Sequence, residues 1–434
     1  MVGTKTLRFR KVVLAVSVAT MCAASRVLAQ STTDSVFPPL VLTFSYTGEL
    51  VTDVSGGERR DATGLGMAGA DLTLRLRRLV GWNGARAYVF LLGTHGGSPS
   101  GMVGDVQGIS NLEAPNAVRL EEAWFQQNLF ANRLSLLAGR YDLNSEFYRL
   151  QSAALFVNSS FGIGPEFGQS GVAGPSIFPN TAVGARVEFD PAPFYGFRAA
   201  VLDGAPVDRP GGAAQLFAPE DGALLVGEAV VVRHPANIGT PRQHRFRIGR
   251  TGPRPYDAKL ALGGWYYTAR FPDLTATLPN GEPVLHRGSG GVYIIGDQTV
   301  RPARPDHSGP LTAFVQLGVG DGRVNQITGY LGGGITLTAP FVERMDDQLG
   351  LAVAAALNGS HYRDAQATAG TPAATEVVFE ATYLAQVGAS LTAQTDMQYV
   401  IHPGGTRSNR DALVLGFRIA VSTETRFGEQ PQRR

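Results

Sequence analysis

The sequence predicts an all-β chain that closes into a transmembrane antiparallel β-barrel of sixteen strands. Three observations carry that expectation. Segments of about 8–14 residues alternate apolar and polar side chains, and sixteen of them follow residue 40. No stretch beyond the leader offers the ~20 unbroken apolar residues that a membrane helix needs. Glycine is abundant at 54 residues and charged residues stand at 17%, against about 25% in ordinary soluble domains.

The leader comes first. Lys5, Arg8, Arg10 and Lys11 form a positive region, Val12–Ala24 an apolar one, and Val27-Leu28-Ala29 a small-x-small cleavage site. Residues 1–29 are therefore expected to be a signal peptide, with the mature chain starting at Gln30. The one cysteine, Cys22, lies inside the leader, so no disulfide or cysteine metal site is expected in the exported chain. Removing the five positive charges of residues 1–29 from the formal +2 leaves −3, which gives no case for nucleic-acid binding.

The expected strands are Leu42–Val54, Met67–Arg78, Ala87–His95, Leu120–Phe130, Arg133–Tyr141, Thr181–Phe189, Gly196–Asp203 and Gly222–Arg233. They continue with Asp257–Arg270, Ser289–Val300, Pro310–Gly320, Gln326–Ala339, Gln348–Leu357, Thr375–Val387, Ser390–Ile401 and Asp411–Ser422. Leu72, Leu74 and Leu76 alternate with Asp71, Thr73 and Arg75; Leu413, Leu415, Phe417, Ile419 and Val421 share one face of the last strand. An even count suits a bacterial barrel with both ends of the chain on one side. The barrel is expected over 30–422, with 423–434 a carboxy-terminal tail.

Connection lengths give an independent check. With a periplasmic start, odd-to-even connections face outward and should be long, as residues 96–119, 142–180, 204–221, 271–288 and 358–374 are. Even-to-odd connections should be tight, as at Ala131-Asn132, Gly388-Ala389 and Asp190–Tyr195. Two connections misfit: the basic stretch His234–Tyr256 is long where a turn belongs, and Asp321–Asn325 is short where a loop belongs.

Residues 104–162 then narrow the reading. They hold Asp105-x-Gln107-Gly108-x-Ser110-Asn111-x-Glu113-Ala114-Pro115, Glu122-x-Trp124, Ala138-Gly139-Arg140-x-Asp142, Ser145-Glu146-Phe147 and Ala154-Leu-Phe-x-Asn158-Ser-Ser-Phe161-Gly162. This stretch resembles the carbohydrate-selective porins of the OprB family. The likeness continues through Leu262–Phe271, Gln398–Gly405, where His402 stands for an expected Asn, and Asp411–Gly416. Members of this kind usually end on an aromatic residue; this chain ends Arg433-Arg434, with Phe427 the nearest candidate.

The resemblance implies an outer-membrane pore that passes small, glucose-like sugars passively, without catalysis or cofactor. It also implies that loop 142–180 folds inward and constricts the lumen. The Gly/Pro-rich run of this loop and its Phe156, Phe161 and Phe167 suit burial against the wall. Arg140, Asp142, Glu146, Glu122 and Trp124 would then line the passage, where hydroxyl groups exchange water for charge-assisted hydrogen bonds. Arg140 and Asp142 could equally form an ion pair that anchors the loop, and Trp124 could be an interfacial girdle residue. Arg75, Glu380, Gln394, Asp396, Gln398 and Arg418 are expected on the inner wall. Expected partners are small sugars, outer-membrane lipid and lipopolysaccharide, with monomer and homotrimer both open. A general diffusion pore, or an exported soluble β-rich carbohydrate-binding protein, would share much of this pattern.

Other motifs carry less. Gly64-Leu-Gly66-Met-Ala-Gly69 matches a dinucleotide fingerprint but leads into period-two alternation rather than a helix. Seven scattered histidines offer no ligand pair, and no Gly-x-Ser-x-Gly elbow or singled-out carboxylate pair is present.

Overall fold

A computed structural model describes residues 38–206, 217–218, 220–233, 256–303, 309–341, 343–367 and 372–428. The chain forms β1 (Leu40–Gly57), β2 (Ala62–Arg75), β3 (Ala85–Gly96), β4 (Ala117–Leu129), β5 (Leu134–Tyr141), β6 (Ala182–Ala192), β7 (Tyr195–Asp203) and β8 (Ala223–Arg233). It continues with β9 (Ala258–Thr277), β10 (Pro283–Arg301), β11 (Leu311–Gly320), β12 (Ile327–Thr338), β13 (Gln348–Asn358), β14 (Thr375–Gly388), β15 (Leu391–Ile401) and β16 (Arg410–Phe427). Each strand pairs antiparallel with its sequence neighbours, and β1 pairs with β16, so the sixteen strands close into a barrel with no free edge.

The alternation that defines the strands also sorts the two faces. On β8, Leu225 and Val231 are exposed while Leu224, Val226, Glu228 and Val230 are buried. On β16 the exposed row is Leu415, Phe417, Ile419 and Val421, and the alternating row carries Val414 and Arg418. A soluble sheet would bury the oily row. Here the oily row is outside, which is the arrangement for a barrel in hydrocarbon. Ionisable residues such as Asp71, Arg186, Glu228, Asp297 and Glu380 alternate inward and are buried.

Several boundaries move. β9 and β10 run on to Thr277 and from Pro283, so most of the connection expected at 271–288 is strand, and the hairpin tip is only residues 278–282. Cross-strand pairs such as His286 with Phe271 hold this extension together. Residues 76–80 leave β2 as a short helix ending at Gly81 rather than continuing to Arg78. The turn at Ala131-Asn132 occupies residues 130–133, with Phe130, Ala131 and Asn132 all at positive φ. β16 does not stop at Ser422: it continues to Phe427, which pairs with Leu40. The first five residues of the expected tail therefore belong to the wall, and Phe427 ends its outer row. The signal peptide and nearly all of the basic stretch 234–256 lie outside the described residues. The glycine-rich Gly64–Gly69 segment is strand β2 throughout.

Candidate functional site

Loop 142–181 leaves β5 and turns into the barrel. Its backbone is caught by a series of inward-facing side chains on strands around the wall. Tyr148 N donates to Glu228 Oε2 on β8 at 3.0 Å, and Lys259 Nζ on β9 donates to Arg149 O at 2.6 Å. The Gln151 and Ser152 amides donate to Asp297 on β10 at 3.1 and 3.2 Å. Val157 N and Asn158 N donate to the Glu380 carboxylate on β14 at 2.6 and 3.0 Å. Gln394 on β15 and Gln316 on β11 donate to the Leu155 and Phe161 carbonyls at 2.8 and 3.0 Å. Carboxylates thus take the orphan amides of an irregular segment and amides take its carbonyls, which is how the backbone of such a loop can be buried.

Between these polar ties the loop packs aromatically. Phe167 stacks on Trp265 at 4.3 Å, Phe156 and Phe161 meet Phe314 at 5.5 and 6.0 Å, and Tyr148 meets Tyr293 at 4.4 Å. Phe156, Phe161 and Phe167 are all buried, as their sequence context suggests. This side of the interior, against β7–β13, is a true apolar core rather than an open bore.

A second loop, residues 97–116, also turns inward, which the sequence reading did not anticipate. Glu376 on β14 accepts from Val106 N and Gln107 N at 3.0 and 3.1 Å, Gln398 Nε2 donates to Ile109 O at 2.8 Å, and Ser110 Oγ donates to Glu49 Oε2 at 2.7 Å. The two loops are joined by Asn111 N to Val157 O at 2.9 Å and Ser159 N to Gly108 O at 2.8 Å. The two most recognisable motifs of residues 104–162 are therefore the surfaces where these loops meet.

The sequence-predicted residues fall into separate groups. Glu122, Trp124 and Asp142 come together: Trp124 Nε1 and Asp142 N both donate to Glu122 Oε2, at 3.0 and 3.2 Å, and Trp124 stacks on Tyr88 at 5.0 Å. Asp142 also caps the next turn by accepting from Asn144 N at 2.8 Å. Glu146 forms a bidentate pair with buried Arg186 on β6 at 2.7 and 2.8 Å. That pair opens a ladder in which Arg198 meets Glu188 at 2.9 Å and Glu228 at 3.2 Å. Arg75 is the last residue of β2, where its Nη1 donates to the Pro38 carbonyl at 2.8 Å and ties down the chain entering β1. Arg140 lies on the other face of β5 from buried Leu137 and Tyr141. It pairs with Ala123 and Val183, and its Nε donates to Thr181 Oγ1 at 3.0 Å.

Inner-wall assignments hold for Glu380, Gln394, Asp396, Gln398 and Arg418, but several of these residues anchor loops as well as coat the wall. Arg418 meets Glu49 at 2.7 Å, and its Nη2 donates at 2.9 Å to Oδ1 of Asn111, an exposed residue of the second loop. Strand alternation would have found Glu49, Arg186, Arg198 and Glu228. It would not have found Glu121. A bulge opposite Phe90 and Leu91 makes Glu121 the extra residue, so two successive glutamates are buried.

Within loop 142–181, Glu166 is buried at 1% exposure and accepts from Tyr148 Oη at 3.0 Å through Oε1. It fits against β11 because residue 318 is glycine: a Cβ there would stand 1.8 Å from Glu166 Oε1. Burial pushes its carboxyl up to about 7. Burial likewise raises Asp105, in the second loop, to about 6.

The pattern of the family described as "Carbohydrate-selective porin, OprB family" matches residues 59–422. The chain belongs to this family. It is an outer-membrane sugar porin, and small carbohydrates are its substrates. Porin B of Pseudomonas aeruginosa is 23% identical over 407 residues, covering 86% of this chain and 85% of that protein. OprB of Pseudomonas putida, in its high-pH structure, superposes with a TM-score of 0.74 at 21% identity over 89% of this chain and 94% of that one. The outer-membrane channel DcaP of Acinetobacter baumannii superposes at 0.53 with 10% identity, covering 91% and 99%. These likenesses establish the OprB fold, a closed sixteen-stranded barrel.

Proposed function

We propose that the chain passes glucose-like monosaccharides by passive diffusion through a water-filled passage left beside loops 97–116 and 142–181. The loops act as the constriction, with Asn111, Arg418 and Glu49 on one side and Glu122, Trp124 and Asp142 on the other. Transport in this reading uses no covalent chemistry and no cofactor. The observation that carries it is the pairing of inner-wall cations: Arg186, Arg198 and Arg418 each lie within 3.2 Å of a carboxylate. Paired charges offer hydrogen bonds to hydroxyl groups while leaving little net field to attract or exclude an ion. The aromatic face of Trp124 suits the apolar face of a sugar ring. Arg140, bonded to Thr181, serves as an anchor of the loop's return rather than as lining.

Liposome swelling tests the reading. Vesicles holding the purified protein should swell in iso-osmotic glucose well above empty vesicles, and swell more slowly in a disaccharide. Swelling no faster than empty vesicles would refute sugar passage.

A further inference from the structure

We propose that the outer face of β9 and β10 binds a phosphorylated glycolipid of the lipid A type, with phosphate on Arg270 and Arg287 and an acyl chain in the groove below. Arg270 and Arg287 are directly paired across these strands and both are exposed. Arg270 alternates with buried Ala269 and Phe271, so the pair faces away from the barrel interior. Like charges directly opposite one another destabilise a strand pair. Among the described residues neither guanidinium has a hydrogen-bond or ion-pair partner. Nearby acids are engaged elsewhere: Asp273 holds His286 Nε2 at 2.7 Å, Asp321 holds Arg323 at 2.7 Å, and Glu282 accepts from Asn280 at 3.0 Å. The pair lies on the long-loop side of the barrel, which faces the cell exterior. There the ligand with matching chemistry is a phosphate at the headgroup level of the outer leaflet. Two guanidinium forks suit it, since each can bind phosphate oxygens in bidentate fashion.

The same face continues into an open apolar groove of about 470 Å³, lined by Ala199, Leu225, Gly227, Gly264 and Tyr266. It exists because Gly227 and Gly264 pair directly across β8 and β9, where two missing side chains lower the outer wall. Tyr266 links the groove to the arginines: its hydroxyl lies over Gly288, beside Arg287, where a Cβ would stand 2.0 Å away. An apolar slot, an interfacial tyrosine and an unneutralised cation pair thus run in order up one wall, matching acyl chain, interface and phosphate.

The test is native mass spectrometry of the detergent-purified full barrel with added diphosphoryl lipid A, its dephosphorylated form, or phosphatidylglycerol. Wild type should retain one diphosphoryl lipid A at least tenfold more tightly than either other lipid. The Arg270→Gln/Arg287→Gln variant should lose that preference. Gly227→Leu should weaken retention severalfold; a Cβ at 227 meets only the Arg198 carbonyl, at 4.0 Å, so this variant fills the groove without a clash. Glucose-driven swelling should be unchanged in both variants, which keeps this test separate from that of sugar passage. Equal retention by wild type and the double variant would overturn the proposal, as would equal retention of phosphatidylglycerol, which would mark the site as a general phospholipid contact.

Discussion

Glu166 shows how one buried residue couples the loop to pH. Its carboxyl sits near 7 because burial disfavours the anion, against an ordinary value of 4.5. A raised carboxyl binds its proton more tightly in the folded state. Its contribution is therefore fully present below about pH 4.5 and is lost as pH rises through about 7. That gap corresponds to roughly 3 kcal/mol at most. Glu166→Gln should make thermal stability in detergent less dependent on pH between 5 and 8, with the largest gain over wild type at pH 8. An unchanged pH slope would show that this carboxyl does not titrate in that window. Arg140 gives a second residue-scale expectation. Arg140→Ala should leave single-channel conductance within experimental error and cost about 1.5–3 kcal/mol of stability, the range for hydrogen bonds that involve a charged group. A changed ion selectivity would return Arg140 to the lining. Its position was not legible because the sequence places Arg140 and Asp142 on one alternating row. The strand ends at Tyr141, and Asp142 already belongs to the loop's first turn.

At the scale of elements, the loops are held by the wall rather than by secondary structure of their own. Glu380 accepts two loop amides, and its removal would leave both donors buried and unpaired. Glu380→Ala should cost roughly 2–4 kcal/mol and raise open-channel noise in planar bilayers, because loop 142–181 would lose its tie to β14. Quiet, unaltered currents would show that the aromatic contacts hold the loop alone. The strands were readable because period-two alternation is imposed by the two solvents on either side of the wall. All sixteen expected segments coincide with observed strands, and errors are confined to ends such as Thr277 and Phe427. The inward fold of residues 97–116 was not readable. Its anchors, Glu49, Glu376 and Gln398, lie far away in sequence, and nothing in a glycine-rich loop announces which wall will receive it.

At the scale of the whole molecule, the interior is divided. Loop aromatics pack against β7–β13, a second apolar cluster joins loop 97–116 to β1–β3 and β14–β16, and charged pairs such as Arg418 with Glu49 lie among the polar side chains of the wall. Periodicity alone could not show this division, because an inner row with small and polar residues reads the same whether it faces water or a loop. In the proposed mode of transport a neutral sugar occupies the remaining passage beside Arg418 and Asn111. The direct measurement is current through single channels in planar bilayers as glucose is added. A saturable, glucose-dependent fall in conductance is expected in wild type, beyond that caused by viscosity. The fall should weaken severalfold in Arg418→Ala, whose selectivity should also shift toward cations as Glu49 loses its partner. Currents that follow solution viscosity alone, in wild type and variant alike, would contradict it.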